Sequence, residues 1–230
     1  IKDRIAEWLG VGESDLSSAV VFIPGEREYR ARGDVGRGFL SSLWDKLFGS
    51  ADLWHLAEKV NAHITVPRDV LSPAVGERLV KLVPLRDGLH VEKELPDGTS
   101  FYVRVSDLGG GVEKSLAALV LLEAVKPKLV LWDDFEASMH PSLVGAVLSW
   151  LAAGGWQVVL ATHSIDVLYR LLDVSQARKK VRVIMLRRTP GDVLLWQAAT
   201  LEELEDLITL NQDPRLLAGA LGLEARQRAT

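Results

Sequence analysis

Residues 129–141 read LVLWDDFEASMHP, and the fold turns on how this stretch is understood. Leu129 to Trp132 are four consecutive apolar residues, too few for a helix and suited to a strand buried in a parallel sheet. Asp133 and Asp134 follow at the strand's carboxyl end, the edge at which open α/β sheets bind ligands. A carboxylate there can hold Mg²⁺, which takes hard oxygen ligands and leaves water and phosphate oxygens to complete its octahedron. Asp133 suits that role. Asp134 and nearby Glu136 suit the orientation or deprotonation of an attacking water. An acidic loop leading into a helix near Pro141 accounts for the same residues equally well, because acids favour helix N-termini.

The flanking segments change that balance. Upstream, SDLGGGVEKSLAALVLL (106–122) sets three glycines, Gly109, Gly110 and Gly111, ahead of a strongly apolar helix. Glycines let a phosphate approach backbone N–H groups, and the helix N-terminus adds favourable partial charge. Lys114 and Ser115 follow in the first turns. This is not the phosphate loop G-x-x-x-x-G-K-[ST], since Glu113 precedes Lys114 and Leu108 stands where the first glycine belongs. Downstream, QVVLATHS (157–164) is a second buried strand that ends in Thr162, His163 and Ser164 before another helix. A histidine there can donate to a phosphate or position water. Each signal alone has a structural explanation. A glycine-rich helix start, a strand with paired acids and a strand ending in histidine, in that order and within about 60 residues, make a stronger pattern than any one of them.

From residue 107 onward helix and apolar strand alternate, which implies a parallel sheet with helical crossovers. Before it, residues 77–85, 90–95 and 99–105 alternate apolar and polar positions around a Pro96-Asp97-Gly98 turn, as an antiparallel sheet does. Further toward the N-terminus, 1–9 has helical spacing, SAVVFIPGE is a strand, and an Arg-rich loop spans 26–37. Residues 37–63 read as a helical insert or lobe. After the histidine strand come a helix, a hairpin of two short strands turning at Pro190-Gly191-Asp192, and a closing helix capped by Thr200 with Glu203 as capping-box partner. Residues 224–230 read as a frayed tail. The expectation is one domain over 1–230.

At 230 residues with 48% hydrophobic content, the chain can bury a core of its own. A net charge of −4 argues against general nucleic-acid affinity. The Arg-rich loop (Arg27, Arg30, Arg32, Arg37), the segment ARKKVRV and Arg187-Arg188 leave local contact with nucleic acid neither indicated nor excluded. The absence of cysteine rules out disulfides and Cys-based zinc sites and fits a cytoplasmic location. No apolar run reaches the roughly 20 residues of a membrane span. The tryptophans read as packing anchors.

Taken together, the motifs resemble the C-terminal half of ABC-type ATPase domains, above all the prokaryotic and archaeal AAA-type ATPases akin to SMC proteins and OLD-family nucleases. DLGGGVEKS resembles the ABC signature, WDDFEA resembles Walker B and the acid after it, ASMHP resembles the D-loop, and ATHS resembles the H-loop. VVFIPGER and the late segment LEELEDLITLNQDPRLL, with Asp213 and Arg215, extend the likeness over nearly the whole chain. The resemblance implies a P-loop NTPase fold: a mixed sheet with flanking helices, an antiparallel β element and a helical lobe. It also implies ATP and Mg²⁺ as cofactors and ATP-dependent pairing, in a homodimer or with a P-loop-bearing partner chain. Asp133 would serve Mg²⁺, Asp134 would take the catalytic acid's place, His163 would sense the γ-phosphate, and Gly109, Gly110 and Gly111 would face the partner's nucleotide. Two substitutions depart from the family pattern, Asp134 for glutamate and Gly109 for the signature serine. Because the sequence begins at Ile1 and carries no phosphate loop, a strand, P-loop and first helix are expected upstream. The alternative is a noncatalytic cassette-like subunit that pairs with a P-loop-bearing partner. An OLD-type nuclease is a weaker third reading, with only about 40 residues after the last crossover.

Overall fold

The computed structural model describes residues 4, 7, 10, 12, 19–23, 51–174, 180–188 and 190–214. Most of the expected N-terminal helix, the Arg-rich loop, residues 37–50 of the helical lobe and the 224–230 tail lie outside them. The chain divides into two compact units, Ile1–Thr162 and His163–Thr230.

The first unit contains a parallel sheet of β1 (Val20–Ile23), β5 (Leu129–Trp132) and β6 (Gln157–Leu160), in the order β1-β5-β6. Val20 pairs with Leu129 and Leu129 with Gln157; at the other end Ile23, Trp132 and Leu160 lie in one row. All three strands therefore end together. In that row Ile23 and Trp132 are buried and Leu160 half-buried, whereas Phe22 and Val159, one residue back and so on the opposite face, are 53% and 55% exposed.

Helix α4 (Gly110–Val125) buries residues on every side, including the run Leu116–Val120. Apolar residues all round it, rather than a stripe, make it a core helix. Burying each such leucine contributes roughly 1.5–3 kcal/mol. Helix α5 (Pro141–Ala153) instead buries Leu143, Val144, Val147, Leu148 and Leu151, a single stripe at helical spacing.

Strands β2 (Leu79–Leu85), β3 (Gly88–Glu94) and β4 (Ser100–Arg104) form the expected antiparallel sheet. A register shift between Leu79 and Lys81 lets Leu79 and Leu82, three residues apart, both face inward. Arg104 donates to Asp87 across the sheet at 2.6 Å, and this hydrogen bond holds the Asp87 carboxyl below the usual carboxylate range. Of the expected helical lobe, α1 (Ala51–Lys59) and α2 (Ala62–Thr65) are described.

One feature was not visible in the sequence. A π-helical turn, Val66–Leu71, follows α2 directly and leads into α3 (Ser72–Val75). Pro67 lies in the π turn and Pro73 in α3, at the second position of each. π turns are rare and appear mostly as single-turn insertions.

The second unit holds α6 (Ile165–Asp173), the hairpin β7 (Val183–Arg188) and β8 (Leu194–Ala199), and α7 (Leu201–Thr209). The predicted capping box is present: Glu203 N–H donates to Thr200 Oγ1 at 3.2 Å, and Thr200 N–H to Glu203 Oε2 at 2.7 Å. Trp196 does not pack as an anchor. It pairs with Leu186 on an outward hairpin face and is 52% exposed. Trp132 and Trp150 do pack, against Phe135 and Trp156. The fold is α/β with a parallel sheet, antiparallel sheets and flanking helices, the class the sequence indicates. Among the described residues no helix is long and apolar enough to cross a membrane.

Candidate functional site

The site is built where β5 stops. Asp133 N–H donates to Ile23 O at 2.9 Å, so the first acid is still tied to the neighbouring strand. Asp134 is the first residue to leave the sheet, and it does so in the left-handed region at φ 42. Ser138 repeats that conformation at φ 65. Two non-glycine residues in this region within one turn mark a backbone held by its surroundings at some cost. The holding contacts are visible. Ala137 N–H donates to Asp134 O at 3.0 Å and Met139 N–H to Glu136 O at 2.9 Å. Phe135, fully buried, packs edge-on against Trp132 at 5.7 Å and pins the turn to the strand.

Lys114, on α4, reaches the same turn from below. It is 2% exposed, and its Nζ donates to Asp134 O at 3.1 Å while lying 6.0 Å from the Trp132 ring centroid. Its ammonium thus has a place inside the protein, on the backbone of the acidic turn. Ser115 is likewise interior: its hydroxyl donates to Gly111 O at 2.8 Å within the helix. Replacing Lys114 with methionine removes a donor from the Asp134 carbonyl, which also accepts from Ala137 N–H. The expected result is a loss of about 1–2 kcal/mol, read as a lower melting temperature, together with a clear fall in any turnover that depends on the Asp134 turn. An unchanged melting temperature and unchanged turnover would contradict this role.

The glycines meet the turn from the other side. Gly109 has φ 88 and serves as N-cap of α4 without a side-chain cap bond. A Cβ on Gly111 would collide with the Ser138 carbonyl oxygen, and would lie only 2.9 Å from Ser138 C and 3.0 Å from Met139 Cα. The helix start therefore touches the backbone of the acidic turn, and only glycine fits between them. Beside this contact runs a groove of about 440 Å³ walled by Leu108–Val112, Ser138, His140, Ser142, Leu143, Ala74 and Val75. Among the described residues the N–H groups of 109–112 donate to no carbonyl, as expected at a helix N-terminus.

Magnesium fits the acidic edge. One carboxylate oxygen of Glu136, Oε2, is buried without a hydrogen-bond partner among the described residues, an arrangement that suits a cation or its water shell. No group of three or more metal-binding side chains is assembled among the described residues.

Asp133, Asp134, Glu136, Gly109, Gly110, Gly111, Lys114 and Ser115 all belong to the first unit and surround one strand end. His163 opens the second unit, immediately before Ser164, the N-cap of α6. Sequence reasoning missed the far wall of the groove, Ala74 and Val75, which follow the π turn. The sequence reading places His140 in the D-loop-like ASMHP and Ser142 in the helix that follows, neither as a site residue.

Residues 28–168 match the protein family described as "AAA domain, putative AbiEii toxin, Type IV TA system". No curated protein matches the sequence. Solved structures similar to this chain include one described as "Structural biochemistry of ATP-driven dimerization and DNA stimulated activation of SMC ATPases", at 16% identity over 68% of this chain and 95% of the other, with a TM-score of 0.46. An Smc head domain with coiled coil and joint from Pyrococcus yayanosii is similar at 13% identity over 67% of this chain and 30% of the other, TM-score 0.45. An Smc head domain from Pyrococcus furiosus bound to the C-terminal domain of ScpA is similar at 17% identity over 91% of this chain and 56% of the other, TM-score 0.43. The chain spans less than two thirds of both Pyrococcus proteins. With more than half of its length inside the family match, the chain belongs to this AAA domain family.

Proposed function

We propose that this chain hydrolyses ATP with Mg²⁺, and that it does so in a pair of nucleotide-binding domains formed on ATP. The observation that carries the reading is the close contact of Gly111 with Ser138 and Met139, which fixes the glycine-rich helix start and the acidic strand end as one rigid piece. In this reading the N–H groups at 109–112 take a terminal phosphate from a nucleotide seated on the partner. Asp133 holds Mg²⁺, which supplies charge neutralisation on the phosphate oxygens when bound. Asp134 or Glu136 accepts the proton of the attacking water. Lys114 acts on the backbone beneath Asp134 rather than on the phosphate. His163 stands where a γ-phosphate sensor belongs in the family pattern. The location is cytoplasmic.

The decisive experiment uses the full-length gene product: phosphate release from Mg-ATP, with calorimetry for binding and light scattering for pairing. Turnover that requires Mg²⁺, with ATP-dependent doubling of mass, supports the reading. Binding of neither ATP nor ADP at millimolar concentration overturns it and leaves a noncatalytic cassette-like subunit in its place.

A further inference from the structure

The antiparallel sheet β2-β3-β4 has unlike edges. The β2 edge is blunted: Leu79 N–H donates to Ser72 Oγ at 3.0 Å, the ladder shifts register between Leu79 and Lys81, and Pro84 has no N–H to offer. Bulges and prolines are among the means by which sheets protect an edge. β4 has neither. Ser100–Arg104 contains no proline or glycine, pairs with β3 without a register shift, and is the outer strand of its sheet among the described residues.

Backbone hydrogen bonds fix which way the groups of β4 point. Leu95 N–H donates to Thr99 O at 2.8 Å, so these residues form a bonded pair, and Glu94 N–H donates to Arg78 O at 2.9 Å, away from β4. Bonded and non-bonded pairs alternate along an antiparallel ladder. Glu94 with Ser100, Glu92 with Tyr102 and His90 with Arg104 are therefore the non-bonded pairs. It follows that the N–H and C=O groups of Ser100, Tyr102 and Arg104 face out of the sheet, and no strand receives them among the described residues. The side chains beside them are open as well, with Phe101 40% and Tyr102 51% exposed.

We infer that β4 is a pairing edge, and that its occupant is β4 of a second copy of this chain. The strand is self-complementary when two copies run antiparallel about Tyr102. Tyr102 then meets its own counterpart and Ser100 meets Arg104, so every outward-facing residue meets another and can exchange both backbone hydrogen bonds with it. Phe101 comes to lie opposite Val103, an aromatic against a β-branched residue at the closer, non-bonded spacing. Arg104 faces a serine rather than a second arginine, so no like charges stand opposite one another within the strand. The blunted β2 edge decides the form of the assembly. Joining two β4 edges uses up the open edge of each copy and closes a two-fold dimer, where an open edge at β2 would have allowed a growing fibre. This pairing needs no nucleotide and uses none of the residues assigned above to ATP, so it stands apart from pairing on ATP.

The test uses the full-length protein without nucleotide, followed by light scattering over a concentration series. Wild type is expected to double its mass as concentration rises. Tyr102→Lys places two like charges against each other at the two-fold axis and removes the aromatic pair; it should weaken that association at least about tenfold. The site is exposed, so the far-UV spectrum and the melting temperature of the dilute protein should stay as in wild type. A second variant reads the register directly. Bonded partners in an antiparallel ladder have Cα atoms about 5.5 Å apart, inside the roughly 4.4–6.8 Å that a disulfide spans. Tyr102→Cys should therefore cross-link to its own counterpart under mild oxidation, and this chain contributes no native cysteine to compete. Peptide mapping of the cross-linked product identifies the bond. Wild type that stays monomeric at submillimolar concentration overturns the inference, since the edge would then be satisfied within one protein. A dimer that Tyr102→Lys leaves intact and Tyr102→Cys does not link also overturns it, because the copies would be joined elsewhere. With ATP absent throughout, either failure leaves the ATPase reading untouched.

Discussion

Replacing Gly111 with alanine is expected to destabilise the protein by about 3 kcal/mol, at the upper end of what an inserted methyl costs a packed site. For a domain of this size that is a fall of roughly 6–12 °C in melting temperature. The new Cβ would sit against the Ser138 carbonyl and 3.0 Å from Met139 Cα, both of them backbone, so no flexible side-chain end can swing aside. Gly110 provides the internal control. A Cβ there meets nothing closer than Ser138 Cβ at 3.9 Å, an ordinary contact, and its φ is not in the left-handed region. Gly110→Ala should therefore be neutral or stabilising by a few tenths of a kcal/mol, through the better helix propensity of alanine. Thermal melts of the two variants beside wild type decide the matter. Equal melting temperatures for Gly110→Ala and Gly111→Ala would mean that the helix start and the acidic turn are not locked together, and would remove the main support for a single phosphate-facing site.

That contact explains why the sequence shows some parts of the site and hides others. The order of elements is legible because each carries a local signal: Leu129 to Trp132 are apolar without a break, Thr200 and Glu203 have capping-box spacing, and Pro96-Asp97-Gly98 is turn chemistry. Those effects act over a few residues, and the structure reproduces them. What the sequence hides is set by contacts distant along the chain. Gly110 and Gly111 are alike as letters, yet a Cβ on one would make only an ordinary side-chain contact and a Cβ on the other would meet the backbone of residues 138 and 139. Lys114 and Ser115 read as part of the cofactor-binding helix start, and nothing local announces that the Lys114 ammonium reaches a carbonyl 20 residues away, in a core that α4, buried on all sides, helps to form. The π turn at Val66–Leu71 has no sequence signature that periodicity can detect, and with it the Ala74 wall of the groove goes unseen. Trp196 differs in kind: a tryptophan inside an apolar strand suggests burial, but it lies on a two-stranded hairpin and is 52% exposed.

The acidic turn gives the sharpest functional expectation. Asp134→Asn should leave the fold intact and reduce ATP hydrolysis by about 10²–10⁴-fold, the range that a positioned general base contributes. The substitution suits this position because asparagine is at least as tolerant of the left-handed region as aspartate, so φ 42 is kept without added strain. The carbonyl that accepts from Lys114 and Ala137 is backbone and is untouched. What changes is one carboxylate at the end of a parallel strand, next to Asp133, the proposed Mg²⁺ ligand, which is untouched. Binding of Mg-ATP should then survive and the paired state should accumulate, because the step that releases it has been slowed. Asp133→Asn should behave differently, losing the Mg²⁺ dependence of binding itself. Single-turnover phosphate release, with light scattering on the same samples, separates the two. Glu136 makes the test discriminating, since its partnerless buried Oε2 marks it as the other carboxylate able to receive a proton. Should Asp134→Asn hydrolyse ATP within threefold of wild type while Glu136→Gln does not, the base is Glu136. Asp134 would then be a shaping residue, present for the turn its backbone can make.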